Sequence, residues 1–201
     1  MNISRIPSFV TVVAALAAGV ALGCTGTSPY MAPAAHSAIE TAPEMATVVF
    51  ARPSEMGGGA ARVTILDGKG RFLGDTLPGT YFAVRMPAGE HMFLSWGESV
   101  SPVKATVAAG KVYFVEAYSP TGLGTPALAL RAVTLHSANY GKTEEWMTHA
   151  TPLSPAEDKG QAYLQNEASG VQSAIAKGTQ VFAAYTPTES AEHTLAAEDG
   201  K

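Results

Sequence analysis

Reactive side chains are sparse in this chain, and the first question is which of them sit where chemistry could be done. The 201 residues hold one cysteine, Cys24, and five histidines, His36, His91, His136, His149 and His193. A metal or acid-base centre needs His, Cys or carboxylate partners at short spacing, and the histidines show no such spacing. His91 follows a turn, and its neighbour Glu90 points to the other face of a strand by the two-residue period. A hydrogen bond that steadies the turn is the expected role of His91. The glycine-rich stretch "EMGGGAAR" (55–62) lacks the Lys-Ser/Thr ending of a phosphate loop. "SWGES" (95–99) lacks the Gly-x-Ser-x-Gly spacing of a nucleophile elbow. Glu144-Glu145 beside Trp146 is a carboxylate pair in sequence only, with a solvated helix start or loop as the default. Tyr81, Tyr113, Tyr118 and Trp96 are candidates for an aromatic platform, but strand alternation reads most of them as core or cross-strand contacts. No catalytic, cofactor-binding or metal-binding residue follows from these patterns.

Cys24 is different because of what precedes it. Arg5 is the single charge of a short polar head, residues 6–22 are an apolar run rich in Ala and Val, and Ala21-Leu22-Gly23 leads to the cysteine. A positive head, an apolar core and a small-x-small exit mark a secretory signal peptide. The core is short and alanine-rich for a membrane span, which needs roughly 20 clearly apolar residues. Leu22-Gly23-Cys24 preceded by Ala21 resembles the lipobox of bacterial lipoproteins, with the usual first two residues exchanged. That resemblance implies cleavage after residue 23, acylation of Cys24 and attachment to a membrane. Thr25, rather than Asp, after the cysteine resembles the outer-membrane sorting pattern, which implies an outer-membrane anchor facing the periplasm. The residues alone also admit ordinary cleavage with a free thiol, or an uncleaved anchor. A lone exposed thiol is a liability in an oxidising compartment, and that favours acylation.

Loss of residues 1–23 leaves 178 residues, enough for one domain with its own core, and moves the formal charge from −4 to −5. Mild acidity argues against a nucleic-acid partner. With a single cysteine there is no intramolecular disulfide, so the core must hold the fold.

The elements that must position any site follow from periodicity. Residues 24–45 comprise the acylated cysteine and a Pro-, Thr- and Ala-rich run without a period, expected to be a flexible tether. Residues 46–135 alternate short apolar runs with turns. The expected strands are 46–52, 62–66, 71–77, 80–86, 91–96, 103–107, 112–118 and 127–135, with "DGKG" (67–70) as a hairpin turn. About eight strands at roughly ten-residue spacing predict a mainly β fold, an antiparallel β-sandwich of Ig-like or prealbumin-like type. Residues 136–201 are expected to be a helical extension packed on the sandwich. Ser154, Pro155 and Glu157 read as a capping box opening a helix that ends near Gly178. Thr186-Pro187-Thr188-Glu189 reads as a second helix start, running to about Leu195.

Within this frame, Tyr81, Phe82, Val84, Pro87, Gly89 and His91 form a Y-F-x-V-x-x-P-x-G-x-H hairpin. Ala109, Gly110, Lys111, Tyr113 and Phe114 form an A-G-K-x-Y-F turn and strand. Over residues 46–135 the chain resembles the bacterial envelope family called domain of unknown function 2846, in which Arg52-Pro53 would end the opening strand. The resemblance implies an envelope β-sandwich and lends no activity. The functional expectation is a non-enzymatic, membrane-anchored structural or interaction module, contacting an envelope protein or a cell-wall partner. The alternative is a hydrolase, or the accessory domain of a cell-wall enzyme, with a site in the C-terminal third.

Overall fold

A computed structural model describes residues 27–35, 39–53, 62–120 and 128–201. Cys24, the leader and most of the glycine-rich stretch 55–62 lie outside them. Among the described residues eleven strands form two sheets, and four α-helices lie in the C-terminal part. The mainly β sandwich with C-terminal helices is therefore the fold.

The strands are β1 (Met31–Pro33), β2 (Ala46–Arg52), β3 (Val63–Asp67), β4 (Phe72–Thr76), β5 (Thr80–Met86), β6 (Gly89–Trp96), β7 (Val100–Val107), β8 (Val112–Tyr118), β9 (Ala129–Val133), β10 (Thr151–Pro155) and β11 (Thr194–Leu195). One sheet runs β1-β10-β5-β2-β8-β9 and the other β11-β7-β6-β3-β4. Eight strands lie within two or three residues of the expected limits, because each is bounded by a turn with its own chemistry. At the β3–β4 turn, Asp67 Oδ1 accepts the N–H groups of Lys69 and Arg71 at 2.9 and 2.8 Å, an Asx-type turn that the Asp-Gly pair announces.

The sheets are mixed, not antiparallel throughout. β2 runs parallel to β8, β10 to β5 and β11 to β7. A parallel pair needs a long crossover, which is commonly a helix. Between β2 and β8 the chain runs through β3, β4, β6 and β7 of the other sheet as well as β5 of the same one, so the missing helical signal does not forbid parallel pairing.

The interior between the sheets holds Phe50, Phe82 and Phe93. The Phe50 ring stacks on Phe82 at 5.1 Å and stands perpendicular to Phe93 at 5.2 Å, both favoured aromatic geometries. Every residue of β2 is buried, since its other face is covered too. Val49, Ala51, Phe114 and Val133 pack under Met147 of helix α1 (Lys142–Met147) and under Ala150. On the second sheet Leu66, Phe72 and Leu94 pack under Leu164 of helix α2 (Glu157–Asn166) and Val171 of helix α3 (Ala168–Ala183).

Several expectations for the chain ends are corrected. Residues 27–33, expected in the tether, belong to the fold: β1 pairs antiparallel with β10, with Met31 opposite Pro155 and Pro33 opposite Leu153. The segment 136–201 supplies β10 and β11 to the two sheets, so it is part of the sandwich as well as its cover. Ser154 and Pro155 are strand residues, claimed by β1, and α2 begins after Ala156 without a side-chain cap. Gly178 does not end a helix. It lies inside α3, where a Cβ would collide with the Leu94 side chain, so glycine is there for close approach to the sheet. The Thr186 capping box is present: Thr186 Oγ1 accepts from Glu189 N–H, and the Glu189 carboxylate accepts from Thr186 N–H at 2.8 Å. Helix α4 (Pro187–Glu192) is shorter than expected, because Thr194 and Leu195 leave it to pair with β7. The main chain of Lys201 exchanges two hydrogen bonds with Val112, at 3.0 and 3.1 Å, past the end of β9.

Candidate functional site

A lone carboxylate in an otherwise apolar strand organises the candidate site. Glu116 lies on β8 ("VYFVEAY") and is 2% exposed. Antiparallel register sets it directly opposite Arg131 of β9. Arg131 donates from Nε and Nη2 to Glu116 Oε2 at 3.0 and 2.7 Å. Asn139 Nδ2 donates to the same oxygen at 2.8 Å, and Thr143 Oγ1 donates to Oε1 at 2.7 Å. These four bonds fasten β9, the loop after it and the start of α1 to one point on β8. Oε2 takes three of the four bonds and Oε1 takes one.

In front of this cluster lies a cleft of about 440 Å³, open to solvent, lined among others by Tyr118, Arg131, His136, Asn139, Thr188 and Glu192. The Arg131 guanidinium sits 4.8 Å from the Tyr118 ring centre, a cation–π contact. Burial pushes the Tyr118 hydroxyl above its ordinary pKa; Arg131 pulls it down and Glu192 pushes it up. The phenol therefore stays a neutral donor and acceptor at physiological pH. The cleft thus presents a guanidinium tied to Glu116, a neutral phenol, an aromatic face and the Glu192 carboxylate, a set suited to hydrogen-bonded recognition of a polar partner.

The residues singled out from the sequence are scattered. His91 donates from Nε2 to the Pro87 carbonyl at 2.8 Å, across the turn it follows. Tyr81 faces the cluster under α1, and Tyr113 is buried, with its hydroxyl donating to Ala197 O at 3.0 Å and accepting from Ala108 N–H at 2.8 Å. Tyr118 lines the cleft and Trp96 packs beneath α2 and α3, so the four aromatics make no single platform. Ser95 is buried on β6, accepting Ser101 N–H at 2.9 Å. Glu144 and Glu145 open α1, and Glu144 pairs with the Lys201 ammonium. Among the described residues no three His, Cys, Asp or Glu side chains are grouped as metal ligands. No described helix is long and apolar enough to cross a membrane. The Glu116 cluster escaped the sequence reading, although a single acid and a single base in two neighbouring apolar strands are a signal for it.

No protein-family model, no curated protein and no solved structure matches the chain.

Proposed function

We propose that this chain is an exported bacterial lipoprotein, held in the cell envelope through acylated Cys24, that acts as a non-enzymatic structural or interaction module. The 46–135 resemblance to the domain of unknown function 2846 family supports an envelope setting, and the leader pattern supports export with the outer membrane as the destination. The observation that carries the non-enzymatic reading is the Glu116 cluster. A general base must come within hydrogen-bond reach of its substrate, and Glu116 is buried, bonded to Arg131, Asn139 and Thr143, and not part of the cleft lining. The cleft in front of it is the proposed contact point for an envelope protein or a cell-wall partner.

The test is cross-linked pull-down from envelopes with the wild type, Cys24→Ala and a cleft-filling Thr188→Arg. Thr188 is exposed on α4, so the substitution leaves the core untouched. A partner recovered with the wild type and lost with both variants supports the reading. The cleft is walled largely from the C-terminal third, where the hydrolase alternative would need its site. Turnover of cell-wall fragments by the purified protein, abolished in His136→Ala, would replace the binding reading with that alternative.

A further inference from the structure

Four residues after Cys24, Ser28 makes the first side-chain contact of the described chain, and the contacts around it are extensive. Ser28 Oγ donates to the buried carboxylate of Asp75, and Tyr30 N–H donates to Ser28 Oγ at 3.0 Å. Tyr30 stacks on Tyr163 of α2 at 4.9 Å and meets the edge of Phe72 at 6.1 Å. Asp75 N–H points at Met31 Sδ at 3.1 Å, and Ala156 N–H donates to Tyr30 O at 2.8 Å. With β1 paired to β10, residues 28–33 are held by side chains and by a strand ladder together.

We infer that the edge of the domain formed by β1 and α2 lies against the membrane that holds the anchor, on a leash too short for the domain to stand off or turn over. The inference rests on the proposed acylation of Cys24. Four residues span at most about 14 Å when fully extended. A leash running to β2 would have been a flexible coil with a typical reach of about 25 Å. The short leash confines Ser28 to the depth of the headgroups and the water next to them.

The side chains at this edge suit an interface between water and lipid. Arg62 lies 4.9 Å from the Tyr30 ring centre and 5.4 Å from that of Tyr163, and all three are partly exposed. Tyr rings, with one apolar and one polar end, are among the residues that settle at headgroup level. Glu157, Asp158 and Lys159 on the first turn of α2 offset Arg62 and leave the edge without net positive charge. Contact therefore depends on the anchor and the aromatic cluster, and anionic lipid is not required. The β9 edge with its cleft is five strand positions away, about 24 Å across the sheet, and so faces outward towards a partner.

The experiment uses the acylated full chain in vesicles of phosphatidylethanolamine and phosphatidylglycerol carrying a nitroxide headgroup lipid. Acylation consumes the Cys24 thiol, so an introduced cysteine is the sole labelling site. A fluorophore is placed at Ala162→Cys, beside Tyr163, or at Ala191→Cys, on α4; both positions are exposed. Quenching several-fold stronger at 162 than at 191 is expected. A twelve-residue Gly/Ser insert between Gly26 and Thr27, ahead of the described residues, is expected to bring the two values together. Equal quenching at both sites in vesicle-bound protein would overturn the inference and leave the anchor reading intact. Protein that fails to float with the vesicles and takes label at Cys24 would overturn the anchor reading, and the inference with it.

Discussion

Two buried carboxylates pin the edges of the six-stranded sheet, Glu116 from within it on β8 and Asp75 from β4 of the other sheet, and they do so differently. At the β9 edge Glu116 receives two N–H groups of Arg131 together with Asn139 and Thr143. The outward backbone of β9 is closed as well: Ser101 Oγ accepts Leu130 N–H at 3.0 Å and donates to Leu130 O at 3.5 Å. At the β1 edge Asp75 is fully buried but has two hydroxyl donors, Ser28 and Thr64, with the Arg62 guanidinium at 3.6 Å. Burial pushes the Asp75 carboxyl above its ordinary value; the two hydroxyls and Arg62 pull it back only in part. Glu116 has four donors, whereas Asp75 carries a buried carboxylate on two hydroxyls and a more distant guanidinium, so the electrostatic hold is weaker at the β1 edge. The first edge carries the cleft, and the second carries the segment that leads towards Cys24.

Glu116→Ala is expected to have the largest effect. It leaves Arg131, Asn139 and Thr143 facing an empty acceptor. Loss of one partner of a buried pair costs about 3–5 kcal/mol; here Arg131 is 30% exposed, and about 2–3 kcal/mol is expected. Thermal melting should record it as a fall in Tm of roughly 2–4 °C per kcal/mol for a chain of this size. Ser101→Ala is next. It orphans the Leu130 N–H at a buried position and should cost about 1–2 kcal/mol in denaturant unfolding.

Ser28→Ala should cost about 1 kcal/mol, and its sharper effect is local. Amide exchange in residues 28–33 should quicken while exchange in β2 and β8 stays unchanged. If β9 loosened equally, the β1 edge would be held no more weakly than the other.

Asp75→Asn has the smallest effect at neutral pH, neutral to stabilising, because it removes a buried charge and keeps an acceptor for a hydroxyl. Its value lies in pH dependence. The folded protein holds the Asp75 proton more tightly than the unfolded chain does, so the wild type gains stability as pH falls from the raised folded value towards the ordinary aspartate value. At higher pH that contribution is lost. Denaturant titrations at pH 7 and pH 4 should show this gain in the wild type and its absence in Asp75→Asn. A wild type that loses stability relative to the variant on acidification would mean that the donors outweigh burial at Asp75.

The same contrast explains what could be read from the residues. Strands β2 to β9 were legible because each carries its own alternation and its own turn, such as Asp67-Gly68 or Pro87-Ala88-Gly89. β1 ("MAP") and β10 ("TPLSP") carry prolines and no alternation. They become strands because each supplies the other's ladder from more than a hundred residues away. Ser154-Pro155 satisfied the local rule for a helix start, and the tertiary demand for a strand won. Gly178 read as a stop, since nothing local tells a glycine that ends a helix from one that admits Leu94 of the sheet below. The cleft was half legible: Glu116 and Arg131 announce themselves as lone charges, but Asn139 and Thr143 join them only through the path of the loop. The function expected for Cys24 depends on the leader alone, so the fold neither adds to it nor takes from it.

Acylation at Cys24 is tested most directly by the intact mass of the protein purified from membranes. The expected mass is that of a chain that begins at Cys24 and carries two or three acyl chains on that residue. An unacylated chain beginning at Cys24, or an uncut chain beginning at Met1, would contradict it.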